Sequence, residues 1–281
     1  MLFRVVDIET VPDFSVWTRG KEQYELSRGK ECLEGRPAPW QTKQLTPLDQ
    51  AYEAAVVIKE AFPPPQAHRV VAIAWCDVEL KVGKIKTYEL VSCHSKAVWS
   101  NDLLADESLL IGAFGLAQDK YPATVVTWNG RTFDLPVLSM RAFKLGIPWG
   151  WYYKDKFGAR YRYGEEGHCD LMDFLSDYGA ARQMKLGDAA RLIGLPGKTD
   201  MDGSKVADVV AMGPNVANEI KIARYCLQDA IQTAVLFVRS RFHLGKIGQA
   251  EYAASLKTFE ESVDIQQAID IDWKRVAHWL A

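Results

Sequence analysis

Two carboxylates lie one residue apart at the end of an apolar run, in FRVVDIETVPD (3–13). In a strand, residues i and i+2 point to the same face, so Asp7 and Glu9 project together while Ile8 turns to the other side. Like charges roughly 5–7 Å apart repel each other unless a cation lies between them. The pair therefore marks either a solvated strand end or a cation site.

Two more acidic segments have spacings that suit chemistry. In WNGRTFD (128–134), a predicted strand end leads into a helix, and Asp134 falls where the helix dipole favours a carboxylate. Asn129-Gly130 is a tight-turn signal, so a turn followed by a helix cap explains this segment equally well. Tyr225 and Asp229 are four residues apart and share one face of a predicted long helix.

Taken together, the three segments resemble the three motifs of the DEDD exonucleases. In the family order, they read Asp7-x-Glu9, Asn129-x-x-x-Phe133-Asp134 and Tyr225-x-x-x-Asp229. The position five before Asp229 holds Arg224 rather than histidine, which resembles the tyrosine subclass, DEDDy. The sequences of these segments are similar to those of the exonuclease domain of family-B DNA polymerases. They are most similar to those of the stand-alone bacterial proteins related to that domain. The resemblance covers roughly residues 1–242 and includes HCDLMD (168–173) and LPGKTDMDG (195–203).

The resemblance implies a metal-dependent 3′-5′ exonuclease that releases mononucleotides from single-stranded DNA. It implies two divalent ions, Mg²⁺ or Mn²⁺, held by Asp7, Glu9, Asp134 and Asp229, and such all-oxygen ligand sets suit these ions. Two such ions clamp the attacking and leaving oxygens of a displacement at phosphorus. Tyr225, with a phenol pKa of about 10, is expected to orient the attacking water.

The expected partner is the 3′ end of a single-stranded nucleic acid, with DNA favoured and protein partners unknown. The resemblance implies that the backbone near Thr10, together with Asn129 and Phe133, contacts the terminal nucleotide. Phe133 could equally be a core residue that closes the turn. Two alternatives stay open: an RNA 3′-5′ exonuclease of RNase D type, since contacts to a 2′-hydroxyl are not visible in the sequence, and a catalytically weak nucleic-acid-binding module that partners a polymerase or helicase.

Periodicity predicts the elements that must position these residues. Strands come first and helices later, with one strand inserted between helices, which suits a mixed α/β sheet. The resemblance implies the ribonuclease H-like version of this fold. We predict an exonuclease domain over 1–245, interrupted by an excursion at about 14–66, and a C-terminal helical extension over 246–281 that packs on it. The predicted strands are 2–8, 69–80, 84–93 and 123–130, and the predicted helices are 47–60, 102–120, 133–146, 183–194, 204–212, 216–243 and 249–257.

Composition and charge restrict which other functions and cellular settings the sequence suits. The net charge of −2 gives no overall nucleic-acid signal, so binding to a polyanion requires metal ions or a local basic patch. The best such patch is WGWYYKDKFGARYRY (149–163), although an amphipathic hairpin explains it as well. Five cysteines without a CxxC pair suit a reducing, cytoplasmic setting. No apolar run approaches the ~18 residues of a membrane span.

Two further segments invite functional interpretations. His168 and Asp170 could form a second acid pair near the metals, although a loop-to-helix cap explains them as well. GLPGKT (194–199) resembles a phosphate loop, but Leu192 occupies the position where that motif requires its first glycine, which argues against an ATPase.

Overall fold

A five-stranded sheet forms the centre of the structure, a computed structural model that describes residues 1–17, 62–100, 102–155, 158–197, 201 and 203–278. The strands are β1 (Leu2–Pro12), β2 (His68–Val82), β3 (Lys86–Ala97), β4 (Thr124–Thr127) and β5 (His168–Asp170). They are ordered β3-β2-β1-β4-β5. β4 runs parallel to both β1 and β5, whereas β2 and β3 are antiparallel. The predicted mixed α/β sheet with flanking helices is confirmed.

Helices cover both faces of the sheet. They are α1 (Leu103–Lys120), α2 (Asp134–Leu145), α3 (Gly150–Tyr153), α4 (Leu171–Leu175), α5 (Leu186–Leu192), α6 (Val206–Ala211), α7 (Val216–His243), α8 (Gln249–Glu260), α9 (Val263–Ala268) and α10 (Trp273–Val276). No helix of the described residues is both long enough and apolar enough to cross a membrane.

The alternation of side chains along β1 assigns one set of residues to each face of the sheet. Val6 and Ile8 join a buried cluster with residues of α1 and α2, among them Phe114. Phe3, on the opposite face, packs against Phe237 of α7 with ring centroids 4.7 Å apart. Odd-numbered residues of β1 therefore face α7, and the acidic pair belongs to that set.

A buried ion pair ties the helices of the first face to the sheet. Arg141 of α2 donates to both carboxylate oxygens of Glu107 of α1, and each side chain is 1% exposed. Glu107 also accepts the backbone N–H of Val70 on β2 at 2.9 Å. Because these charges compensate each other, they can lie in an otherwise apolar layer.

The outer edge of β3 is bonded to helices of the C-terminal region. Its N–H groups at Lys86, Tyr88 and Leu90 donate to side chains of α8, and that of Cys93 donates to α9. These outward-pointing N–H groups belong to even-numbered residues up to Leu90 and to the odd-numbered Cys93 after it. The change occurs because the β2–β3 register is irregular after Leu90. The predicted division of the chain at residue 245 remains a prediction.

The chain divides into two compact units, one made of Met1–Thr10 and Val70–Ala281, the other of Val11–Arg69. In the described part of the second unit, the Asp13 N–H donates to the Ala67 carbonyl at 2.7 Å, and His68 Nε2 lies 2.8 Å from the Pro63 carbonyl. Most of the predicted excursion at 14–66, including its helix at 47–60, lies outside the described residues.

Candidate active site

Three carboxylates, two from β1 and one from α7, meet at the face of the sheet that α7 covers. The oxygen atoms that Asp7, Glu9 and Asp229 offer all lie within 4.8 Å of one another. Asp7 is half-buried, whereas Glu9 is 8% and Asp229 is 4% exposed. The sequence spacing predicts only that Asp7 and Glu9 share a face, and the fold adds Asp229 by laying α7 across β1.

Cys226 fixes the contact between α7 and β1. Its thiol donates to the Asp7 carbonyl oxygen at 3.2 Å and lies 3.5 Å from Asp7 Oδ2. Burial, together with the negative charge of Asp7, raises the pKa of the Cys226 thiol well above its ordinary value, so the group stays protonated and can donate. Sequence reasoning missed this residue, although its place three residues before Asp229 puts it on the same helix face.

Asp134 lies beside the three-carboxylate cluster, as the first residue of α2. It is 5% exposed and accepts hydrogen bonds from the Ile8 N–H and from its own backbone N–H. Burial raises its pKa to about 7, and the negative charges of Asp170 and Asp229 act in the same direction. The residue is therefore next to both β1 and Asp229, where an additional positive charge would favour its ionised form.

The other predicted site residues occupy different environments. Tyr225 is buried on α7, one helical turn before Asp229, and Thr10 is half-buried on β1. Asn129 is half-buried beside the carboxylates. Phe133 packs against the apolar cluster of the first face, which agrees with its alternative interpretation as a core residue that closes the turn.

A cleft of about 720 Å³ opens directly onto the carboxylates. Asp7 and Asp229 line one side, together with Trp128 and Asn129. The cleft is also lined by residues 183–188, which lead into α5, and by Arg191 near the end of that helix. Sequence reasoning predicted a helix here but no role for it, and the only signal was the basic character of Lys185 and Arg191.

The predicted relation to the polymerase-associated exonucleases is confirmed by comparison with known families. Residues 60–280 match the family described as "Predicted 3'-5' exonuclease related to the exonuclease domain of PolB". The chain belongs to this family. It is accordingly a predicted 3′-5′ exonuclease, a hydrolase of phosphodiester bonds whose substrate is a nucleic acid. Asp134, Tyr225 and Asp229 lie within the matched range, whereas Asp7 and Glu9 precede it.

Among solved structures, the chain is similar to the family B DNA polymerase from the hyperthermophilic archaeon Pyrobaculum calidifontis, at 15% identity and a TM-score of 0.49. The match covers 92% of this chain and 26% of the polymerase chain, so this chain spans about a quarter of that protein's length. No curated protein matches the chain.

Proposed function

We propose that this protein is a metal-dependent exonuclease of the DEDDy type that removes mononucleotides from the 3′ end of single-stranded DNA. The observation that carries this proposal is the meeting of Asp7, Glu9 and Asp229 within 4.8 Å of one another, with Asp7 and Asp229 lining a cleft. The basic residues Lys185 and Arg191 line the same cleft. Carboxylates for metal ions and cations for phosphate are what phosphodiester hydrolysis requires.

The chemistry of the donor set fits divalent metal ions. Two of the three clustered carboxylates are more than nine-tenths buried, and like charges held this closely repel each other unless a cation compensates them. The donors are all oxygens, which suits Mg²⁺ or Mn²⁺ rather than zinc. Asp7, Glu9, Asp134 and Asp229 would hold two ions. When bound, these ions would activate the attacking water and stabilise the charge on the departing 3′ oxygen.

The remaining residues would bind and orient the substrate. Tyr225 shares a helix face with Asp229, from where its phenol would orient the attacking water by hydrogen bonding. Lys185 and Arg191 would receive the phosphates of the terminal nucleotides. Asn129 and Thr10 would hold the last nucleotide against the carboxylates, with Phe133 closing the turn behind them. The cleft volume lies within the roughly 300–1,000 Å³ of small-molecule sites, which suits the end of one strand rather than a duplex.

The decisive experiment uses 5′-labelled single-stranded DNA and RNA of the same sequence, each with Mg²⁺ and with Mn²⁺. The wild type is compared with an Asp7→Ala, Asp134→Ala double variant, and with Asp119→Ala as a control, since Asp119 is an exposed carboxylate on α1. We expect a ladder that shortens the DNA from its 3′ end for the wild type and the control, and intact strands for the double variant.

Each other outcome has a defined meaning. A ladder on RNA alone would reject the DNA substrate and indicate an exonuclease of RNase D type. Intact DNA and RNA under both metals, with retained Mn²⁺ binding, would reject the enzyme and indicate a nucleic-acid-binding module. A ladder that persists in the double variant would show that these carboxylates are not the catalytic ligands.

A further inference from the structure

The turn between β4 and α2 carries Asn129 and leads directly into Asp134. The backbone of Asn129 is in the left-handed region, with φ of 66°. A residue other than glycine adopts this conformation only at a cost in free energy. Such a conformation persists when surrounding contacts hold it. The side chains that hold this turn come from β5 and from Thr127 at the end of β4.

Asp170 binds the turn at two points. Its Oδ1 accepts the N–H of Asn129 at 2.9 Å, and its Oδ2 accepts the N–H of Arg131 at 2.8 Å. The N–H between them, that of Gly130, donates to Thr127 Oγ1 at 3.1 Å, and this hydroxyl lies 2.7 Å from His168 Nε2. His168 and Asp170 share one face of β5. Three consecutive N–H groups of the turn are therefore held. Asp170 of β5 accepts the first and the third, and Thr127, which contacts His168 of β5, accepts the second.

A helix cap alone does not account for Asp170. The side chain does cap α4, since Oδ1 also accepts the N–H groups of Met172 and Asp173. However, α4 has only five residues, and Oδ2 is used for the turn. Asp170 is 5% exposed, and burial raises its pKa, so keeping this carboxylate inside requires the donors that the turn supplies.

We infer that Asp170 is a positioning residue that holds the β4–α2 turn so that Asn129 and Asp134 reach the carboxylate cluster in the correct geometry. The inference rests on the proposed function for what these two residues contact. Asp134 lies three residues after Arg131. Displacing the β4–α2 turn would therefore move the Asp134 carboxylate away from β1 and Asp229. Removing a partner that orients a metal ligand typically costs about 10–100-fold in metal affinity or activity.

Two substitutions separate the turn from the helix cap. Asp170→Asn retains an oxygen for Asn129, Met172 and Asp173 but places an amide NH₂ against the Arg131 N–H. Asp170→Ser retains a cap for α4 but is too short to reach the turn. Asp102→Asn is the matched control, because Asp102 caps α1 through the Ala105 N–H and contacts no part of the turn.

The first readout is Mn²⁺ binding to the full chain, followed by electron paramagnetic resonance, which does not depend on activity. We expect Mn²⁺ to bind about 10–100-fold more weakly to Asp170→Asn and Asp170→Ser than to the wild type and Asp102→Asn. On single-stranded DNA, kcat should fall at least tenfold in both Asp170 variants and stay at the wild-type value in Asp102→Asn. Equal Mn²⁺ affinity and equal kcat would show that Asp170 only caps α4.

A second measurement uses the wild type alone and so remains decisive if the variants do not fold. Hydrogen exchange of the Asn129 and Arg131 amides should be slowed at least a hundredfold relative to an unstructured peptide. Exchange at the unstructured rate would overturn the inference. If the wild type binds Mn²⁺ without cleaving DNA or RNA, the proposed function fails, whereas the Mn²⁺ comparison between variants still tests Asp170.

Discussion

Gly130 leaves no space for a side chain within the turn that carries Asn129. A Cβ atom at this position would lie 2.5 Å from three atoms of the Thr127 side chain, closer than real contacts allow. We therefore expect Gly130→Ala to displace the turn, to destabilise the fold by about 1–3 kcal/mol, and to lower the exonuclease rate at least tenfold. Urea unfolding and strand-shortening assays measure the two effects.

Gly112 provides the matched control for this substitution. It lies inside α1, and a Cβ there would meet nothing within 4 Å. Gly112→Ala should leave the rate unchanged and stabilise the helix by up to about 1 kcal/mol. Gly130→Ala with wild-type rate and stability would show that the turn accommodates the extra atom.

His168 gives the folded protein a pH-dependent stability. Burial lowers its pKa to about 3, and the charge of Arg131 acts in the same direction, whereas an unfolded histidine titrates at about 6.5. Below pH ~6.5 the unfolded chain binds a proton that the folded chain does not, so the free energy of unfolding falls as the pH drops from about 6.5 towards 3. This one residue should remove on the order of 1 kcal/mol between pH 7.5 and 5.5.

The measurement compares urea unfolding at those two pH values. In His168→Gln, the loss of stability between pH 7.5 and 5.5 should be smaller than in the wild type by that amount. His94→Gln serves as the control, since His94 is an exposed histidine on β3. The same pH dependence in His168→Gln as in the wild type would contradict the prediction.

At the level of residues, the sequence predicted the acidic centre better than its surroundings. Asp7 and Glu9 could be paired from strand alternation alone, and their motif order pointed to Asp229. The place of Lys185 in the cleft lining could not be predicted, because it depends on how α5 packs in the folded chain. The sequence marks Asp170 as a candidate acid or helix cap, but its contacts to the Asn129 turn depend on the β4–β5 pairing, which no local pattern encodes.

At the level of elements, side chains of α8 complete the hydrogen bonding of β3. Ser255 is fully buried, and its Oγ accepts the Tyr88 N–H at 2.9 Å. Removing this acceptor leaves a buried donor unpaired, so Ser255→Ala should lower the free energy of unfolding by about 1–3 kcal/mol without changing the catalytic rate. Urea unfolding measures the loss. Ser95→Ala, at an exposed serine on the same strand, should change stability by less than about 0.5 kcal/mol.

The long, periodic elements agree with their predicted positions, and some of the shortest elements, among them β5 and α3, were missed. The predicted helices at 216–243 and 249–257 correspond to α7 and α8. β5 has three residues and α3 four, too few for a period to be visible. β5 forms a strand because β4 pairs with it in parallel, and this pairing depends on the tertiary structure rather than on the local sequence.

At the level of the whole molecule, the charge balance predicts a modest salt dependence of DNA binding. The net charge is −2, and among the described residues Lys185 and Arg191 are the basic ones that line the cleft. Arg191 is also paired with Asp188, so its contribution to phosphate binding is reduced. Each phosphate neutralised on a single strand contributes a slope of about −0.7 to log K against log salt.

We therefore expect a slope between about −0.7 and −1.4 for an oligothymidylate in the absence of divalent metal. Fluorescence anisotropy from 50 to 200 mM salt measures it. Lys185→Ala should make the slope shallower by about 0.7, and Lys120→Ala, on the exposed end of α1, should leave it unchanged. A slope steeper than about −3 would show that a larger basic surface contacts the strand.

The covered edge of β3 also restricts how this protein can associate with others. A sheet recruits a strand from a second protein through free N–H and C=O groups along an edge, a mode of assembly known as β-augmentation. On β3, the N–H groups of Lys86, Tyr88, Leu90 and Cys93 already donate to α8 and α9. This edge is therefore closed to an added strand, and the same contacts protect it from edge-to-edge aggregation.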